Sequence, residues 1–131
     1  MAKIESEVKT INKPDEVLFN FLSDFKNFDK LMPEKVVNWQ STTDTCNFTI
    51  SGLASMGMEI IEKVPNSLIK IKESGKAPFS FELIINLEKT DIDKTKVKFT
   101  IIAELNPMLS MMVTNPLKNF LDILVNKLAE I

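Results

Sequence analysis

Histidine is absent from this chain, and so is tyrosine. Without histidine there can be no Ser-His-Asp triad, no Cys-His pair and no imidazole-ligated zinc. Without tyrosine another common proton donor is gone. Any acid–base chemistry would have to rest on carboxylates, lysines, amides or hydroxyls, so we lean away from an enzyme. A single cysteine, Cys46, excludes an internal disulfide and a multi-cysteine metal site. No apolar run is long enough for a transmembrane helix. The opening Met1-Ala2-Lys3-Ile4-Glu5 lacks the apolar core of a signal peptide. The expectation is a cytoplasmic protein without membrane insertion. Acids and lysines are interspersed and the net charge is −2, so the basic stripe that nucleic acid requires is missing. No cofactor and no metal are expected. Nothing in the sequence sets the oligomeric state.

What is present is enough for one core. The chain has 131 residues, 44% of them apolar, which suits one domain spanning 1–131. Its last quarter organises the rest. Leu117, Phe120, Leu121, Leu124 and Leu128 recur at helical spacing, opposite Lys118, Asn119, Asp122 and Asn126. Asn106-Pro107 and Asn115-Pro116 each pair a capping residue with a first-turn proline. We therefore expect a break or kink near 115.

Residues 3–11 alternate, with Ile4, Ser6, Val8 and Thr10 on one side of a single strand. Pro14, Asp15 and Glu16 then open a helix whose stripe is Val17, Leu18, Phe21, Leu22 and Phe25. Lys26-Asn27 ends it, and Phe28, Leu31 and Met32 begin a second short helix that Pro33 stops.

From 35 to 105 the period is two. Val37, Trp39 and Ser41 share a side, as do Cys46, Phe48 and Ile50, then Ala54, Met56, Met58 and Ile60. Ile69 and Ile71 follow, then Phe79 to Leu87 and Val97 to Leu105, both alternating. Short turns join these segments, so neighbours should be antiparallel, with one apolar face and one charged face. Gly57 is read as the site of a bulge. A bulge there would decide whether Glu59 turns inward as a desolvated carboxylate, the one weak catalytic candidate, or stays outward as alternation indicates.

The order of strand, two short helices, six strands and long terminal helix resembles the START-like, or SRPBCC, superfamily. That superfamily has the helix-grip fold of birch-pollen-allergen-like and polyketide cyclase-like proteins. The carriers are Ile11 through Leu22, Asp24-Phe25 through Leu31-Met32-Pro33, and the terminal helix. The resemblance implies an α+β fold, a curved seven-stranded antiparallel sheet wrapped around the last helix. It also implies a cavity between them for an apolar small molecule, a lipid, polyketide or isoprenoid-like compound. The residues projected onto that cavity are Trp39, Phe48, Met56, Met58, Ile71, Phe81, Leu83, Phe99, Ile101, Met112, Val113, Leu117, Phe120 and Leu121. Orientation would fall to Ser6, Ser41, Ser110, Thr114 or Asn115. Other branches of the fold imply a cyclase or aromatase, or a co-chaperone-like interaction module. Met108, Met111 and Met112 lie off the Leu117 stripe and read as core filler, pocket mouth or partner surface. Cys46, in an apolar register, reads as an inert buried thiol.

Overall fold

A computed structural model describes residues 2–131; Met1 lies outside them. Eight strands form one antiparallel sheet. They are β1 (Ala2–Glu5), β2 (Lys9–Ile11), β3 (Val36–Ser41), β4 (Thr45–Ile50), β5 (Ala54–Val64), β6 (Leu68–Glu73), β7 (Phe81–Asp91) and β8 (Lys94–Ala103). The spatial order is β1-β8-β7-β6-β5-β4-β3, with β2 continuing β1 alongside β8. Helices α1 (Asp15–Leu22) and α2 (Phe25–Phe28) follow β2, and α2 runs into a 3-10 turn at Asp29–Leu31. Helix α3 (Pro107–Leu128) closes the chain, packed against β1, β2, β8 and the 3-10 turn. The apolar faces of sheet and helices meet in one buried cluster.

The alternation holds best on the long β7–β8 hairpin. Phe81, Leu83, Ile85, Leu87, Val97, Phe99, Ile101 and Ala103 are all buried. On the outer face charges of opposite sign stand across from each other, as in Glu59 opposite Lys72, Lys72 opposite Glu82 and Glu88 opposite Lys96. Such pairs favour this register and keep that face wet.

On the β7–β8 hairpin the one extra residue lies by the turn, between Lys89 and Asp91; elsewhere one-residue insertions change the reading. The expected single first strand is two, which makes the sheet eight-stranded. Glu5 pairs with Thr100 but Lys9 with Val97, so one extra residue lies between them. Ser6 fills the gap. Its N–H donates to the Phe99 carbonyl at 2.8 Å, and its hydroxyl accepts from the Phe99 N–H at 3.0 Å. The slip reverses facing, because the side-chain period is two. Ile11 is buried instead of Thr10, and Val8 is 59% exposed. In β3 the same happens at Asn38, whose φ is +58°. Val36 and Trp39 then turn inward while Val37 is exposed. In β5 the insertion lies between Ile60 and Glu62, not at Gly57. Gly57 answers to close approach instead: a Cβ there would lie 2.0 Å from the Ser74 carbonyl oxygen.

Two helix boundaries also move. The break after α1 falls at Ser23-Asp24, before Lys26-Asn27. The Asp24 carboxylate accepts from the Lys26 N–H at 2.9 Å and starts α2, so Phe25 belongs to the second helix. Phe25 and Phe28 pack edge to face at 5.0 Å. Helix α3, expected to break near 115, is continuous. Asn106 caps it, accepting from the Leu109 N–H at 2.8 Å, and Pro116 sits inside it. An interior proline costs a helix about 3 kcal/mol, so packing of the flanking turns must offset that cost.

Candidate functional site: a groove along the C-terminal helix

Helix α3 is held on one flank by polar ties. The Glu7 N–H donates to Asp122 Oδ1 at 2.8 Å, and Lys9 Nζ donates to Asn126 Oδ1 at 2.7 Å. Lys118 Nζ lies 3.0 Å from Asp122 Oδ2; a separate tie runs to the end of the 3-10 turn, where Lys127 Nζ donates to the Met32 carbonyl at 3.0 Å. The slip at Ser6–Val8 is what carries the Glu7 amide off the ladder and toward Asp122.

On the other flank the helix stands away from the β3–β4 end of the sheet. A half-open groove of about 840 Å³ runs there, within the range of roughly 300–1,000 Å³ common for small-molecule sites. One wall is Met112, Pro116, Asn119, Phe120 and Ile123, with Asp122 and Asn126 at the rim. The facing wall is Pro33, Glu34 and Lys35 with Ile50, Ser51, Gly52 and Leu53. The Ser51 N–H donates to the Lys35 carbonyl at 2.8 Å and ties these two loops together. Gly52 has φ +82°, which turns the chain between β4 and β5 and presents Leu53 to the groove. Asp122 and Asn126 are engaged by Lys118, Glu7 and Lys9, so Glu34, Lys35, Ser51 and Asn119 are the polar side chains left to meet a guest. Two smaller recesses, of about 380 and 280 Å³, are edged by charged residues such as Glu88 and Lys96, and Lys72 and Glu82.

Of the residues projected onto a cavity, Met112 and Phe120 line this groove. Phe48, Met56, Met58, Ile71, Phe81, Leu83, Phe99 and Ile101 from the sheet, with Val113, Leu117 and Leu121 from α3, lie together in the buried cluster. Trp39 is half-buried, stacked on Phe48 at 5.3 Å and edge-on to Phe25 at 6.5 Å. Sequence reasoning missed Pro33, Leu53, Pro116 and Ile123 as lining. The hydroxyls named for orientation have partners within the protein. Ser6 bonds in the sheet, Ser41 Oγ accepts from Trp39 Nε1 at 3.1 Å, and Thr114 Oγ1 donates to the Ser110 carbonyl at 2.6 Å. Met108, Met111 and Met112 are 72%, 86% and 62% exposed. They are surface, with Met112 also at the groove.

The Cys46 thiol is buried on β4, and that burial pushes its pKa from 9.0 up to about 12. It is protonated and unreactive at neutral pH. Glu59 is exposed on the outer face, opposite Lys72, away from groove and core. Among the described residues no three Cys, Asp or Glu side chains come together to hold a metal ion, and no helix is long and apolar enough to cross a membrane.

This architecture, a strongly curled antiparallel sheet gripping one long helix with two short helices after the first strands, is the START-like helix-grip fold. Solved structures carry the likeness. A START superfamily protein from Mycobacterium smegmatis superposes with a TM-score of 0.78 at 14% identity, covering 98% of this chain and 94% of that one. Norcoclaurine synthase from Thalictrum flavum, solved with dopamine and hydroxybenzaldehyde, gives 0.77 at 11% identity, over 98% of this chain and 84% of its own. The di-domain ARO/CYC protein BexL of the BE-7585A biosynthetic pathway gives 0.70 at 11%, over 97% of this chain and 46% of that one. No protein-family model matches the sequence, and no curated protein matches it.

Proposed function

We propose that this chain binds an apolar small molecule, a lipid-, polyketide- or isoprenoid-like compound, between the curled sheet and α3, without transforming it. The observation that carries the reading is the groove of about 840 Å³ beside α3, with Ile50, Leu53, Met112, Phe120 and Ile123 in its walls. A surface recess with that much aliphatic lining gains free energy by excluding water around an apolar guest. Phe48, Met56, Met58, Phe99 and Ile101 belong to the packed core beneath the sheet and do not line this groove. Glu34, Lys35, Ser51 and Asn119 at the rim serve to orient a polar end. The likeness to norcoclaurine synthase and BexL attaches chemistry to the same fold, but one fold hosts many activities.

Native mass spectrometry of the purified protein and titration with 1-anilinonaphthalene-8-sulfonate test this. A bound apolar molecule or saturable dye binding is expected. Leu53→Asp and Phe120→Asp should each weaken dye binding about tenfold or more, a loss near 1.4 kcal/mol. Absence of both a bound molecule and saturable dye binding removes the reading.

A further inference from the structure

The described methionines fall into two sets. Met32, Met56 and Met58 are buried, at 8%, 5% and 3% exposure, and fill gaps in the core as flexible thioethers usually do. Met108, Met111 and Met112 are the reverse case, exposed and close together at the start of α3. Among the described residues every other large apolar side chain at the surface is valine or isoleucine, which has no donor atom. The exposed methionines therefore bring three sulfur donors to one place.

Helical geometry aims them at each other. At 3.6 residues per turn the three side chains leave α3 within an arc of about 100°. Met108 lies between the directions of Met111 and Met112, which are its neighbours across one turn, about 5–6 Å away at Cβ. Helical side chains lean toward the N-terminus, so Met111 and Met112 lean back over the turn that carries Met108. Each is long and flexible, and three sulfurs can converge on one point above the helix surface. Thioether sulfur is a neutral, soft donor. It suits Cu(I), while carboxylates, carbonyls and water suit magnesium and calcium. Leu105 to Leu117 carries no charged residue, so the segment itself offers a divalent ion no carboxylate. The helix dipole opposes a cation at this end, but it fades within the first turn, and Met111 and Met112 stand on the second. Cys46, the one thiol, is buried on β4 and cannot join them. We propose that Met108, Met111 and Met112 form a three-sulfur surface site for one soft monovalent cation, Cu(I). It shares only Met112 with the groove and does not depend on the guest proposed above.

Silver(I), a redox-inert probe of the same softness, tests the site on the full chain in chloride-free buffer. Native mass spectrometry and calorimetry should show one ion per chain. Cu(I), kept reduced by ascorbate, should displace it, and Zn(II) and Mg(II) should not. With isotope-labelled methionine methyls, the NMR signals of Met108, Met111 and Met112 should move on binding while those of Met32, Met56 and Met58 stay. Leucine resembles methionine in size and helix propensity. The triple change Met108→Leu, Met111→Leu and Met112→Leu should therefore keep the circular dichroism spectrum and lose the ion. Each single change should weaken binding about tenfold or more. Cys46→Ala should keep the ion. Wild type that holds no silver ion, or an ion that survives the triple change, overturns the site. So does Zn(II) that displaces silver, or an ion lost with Cys46→Ala while the fold is kept.

Discussion

The two ends of the sheet meet α3 differently. At the β1–β8 end the helix is close, and backbone, carboxylate, amide and ammonium groups clasp it through Glu7, Asp122, Lys9 and Asn126. At the β3–β4 end it stands off, and the gap between Leu53 and Phe120 is open groove. Both ends use apolar side chains, so composition does not separate them. Closure does. A side chain with protein on all sides loses packing when trimmed, whereas one facing an open recess loses only part of that. One end of the molecule is therefore a fixed floor and the other an opening.

The largest expected effect puts a number on that contrast. Phe99 is completely buried at the centre of β8. Phe99→Ala should cost about 3–5 kcal/mol in urea melts, the usual toll for an aromatic ring removed from a dry core. Phe120, half-buried against the groove, should cost about 1–1.5 kcal/mol on the same change, close to its transfer term alone. Equal costs would mean that the two ends are packed alike.

Cys46 asks the next question, whether the inner face of β4 is dry although β4 borders the open end. Its folded pKa, about 12 against 9.0 for the free thiol, gives the sign. The native protein keeps the thiol proton after the unfolded chain has begun to lose it. The resulting stability is fully present below pH 9.0, and it is lost as pH rises from there toward 12. Wild type should therefore lose about 1 kcal/mol relative to Cys46→Ala between about pH 9 and 10. Lysine titrations, common to both proteins, cancel in that difference. A pH-independent difference would mean that water reaches the thiol.

The clasp comes third. Asp122→Ala frees the Glu7 amide and the Lys118 ammonium and should cost about 1 kcal/mol. Asn119→Ala, a groove residue of the same helix that makes no such tie, should stay within about 0.5 kcal/mol. Chemical melts of the pair decide it, and a reversed order would place the tight flank on the wrong side of α3.

How much of this was legible in the sequence depended on whether a feature was local. The β7–β8 hairpin read correctly over Phe81 to Leu87 and Val97 to Ala103, because alternation there is enforced by a buried face; its one extra residue, between Lys89 and Asp91, sits beside the turn. Every misread strand held an insertion. Val8, Val37 and Ile61 are ordinary apolar strand residues, and nothing in their own chemistry says that one residue has been added beside them. Asn38 carried a faint signal, since asparagine tolerates positive φ better than most residues. At α3 the two Asn-Pro pairs look alike, yet Asn106 caps the helix and Asn115 lies inside it. Tertiary packing of Val113 and Leu117 on either side overrides the local preference to stop. Most of the groove was unreadable for a related reason. Pro33, Leu53 and Ile123 are far apart in the chain, and only the stand-off of α3 at one sheet end makes them neighbours. Met112 and Phe120 could be named because they lie on the helix that the resemblance placed against a cavity.

The smallest expected effect lies at the clasped end, on the outer face. Glu5 on β1 is held below its ordinary carboxylate pKa of 4.5, first by its hydrogen bond from Lys98 Nζ at 2.7 Å, then by the charges of Lys3 and Lys98. A lowered folded pKa means a contribution that is present above pH 4.5 and fades as pH falls through the folded value. The pair lies at the surface, partly open to solvent on both sides, so salt and water screen it and melts should barely register its loss. Its titration is the better measure. The Glu5 side-chain NMR signal should have a midpoint below 4.5, and Lys98→Met should move it back up. Added salt should do the same to a smaller degree. An unshifted midpoint in the wild type would show that the ion pair is not held in solution. The closeness of β1 to β8 would then rest on the ladder, on the Ser6–Phe99 exchange and on the clasp to α3, not on the Glu5–Lys98 ion pair.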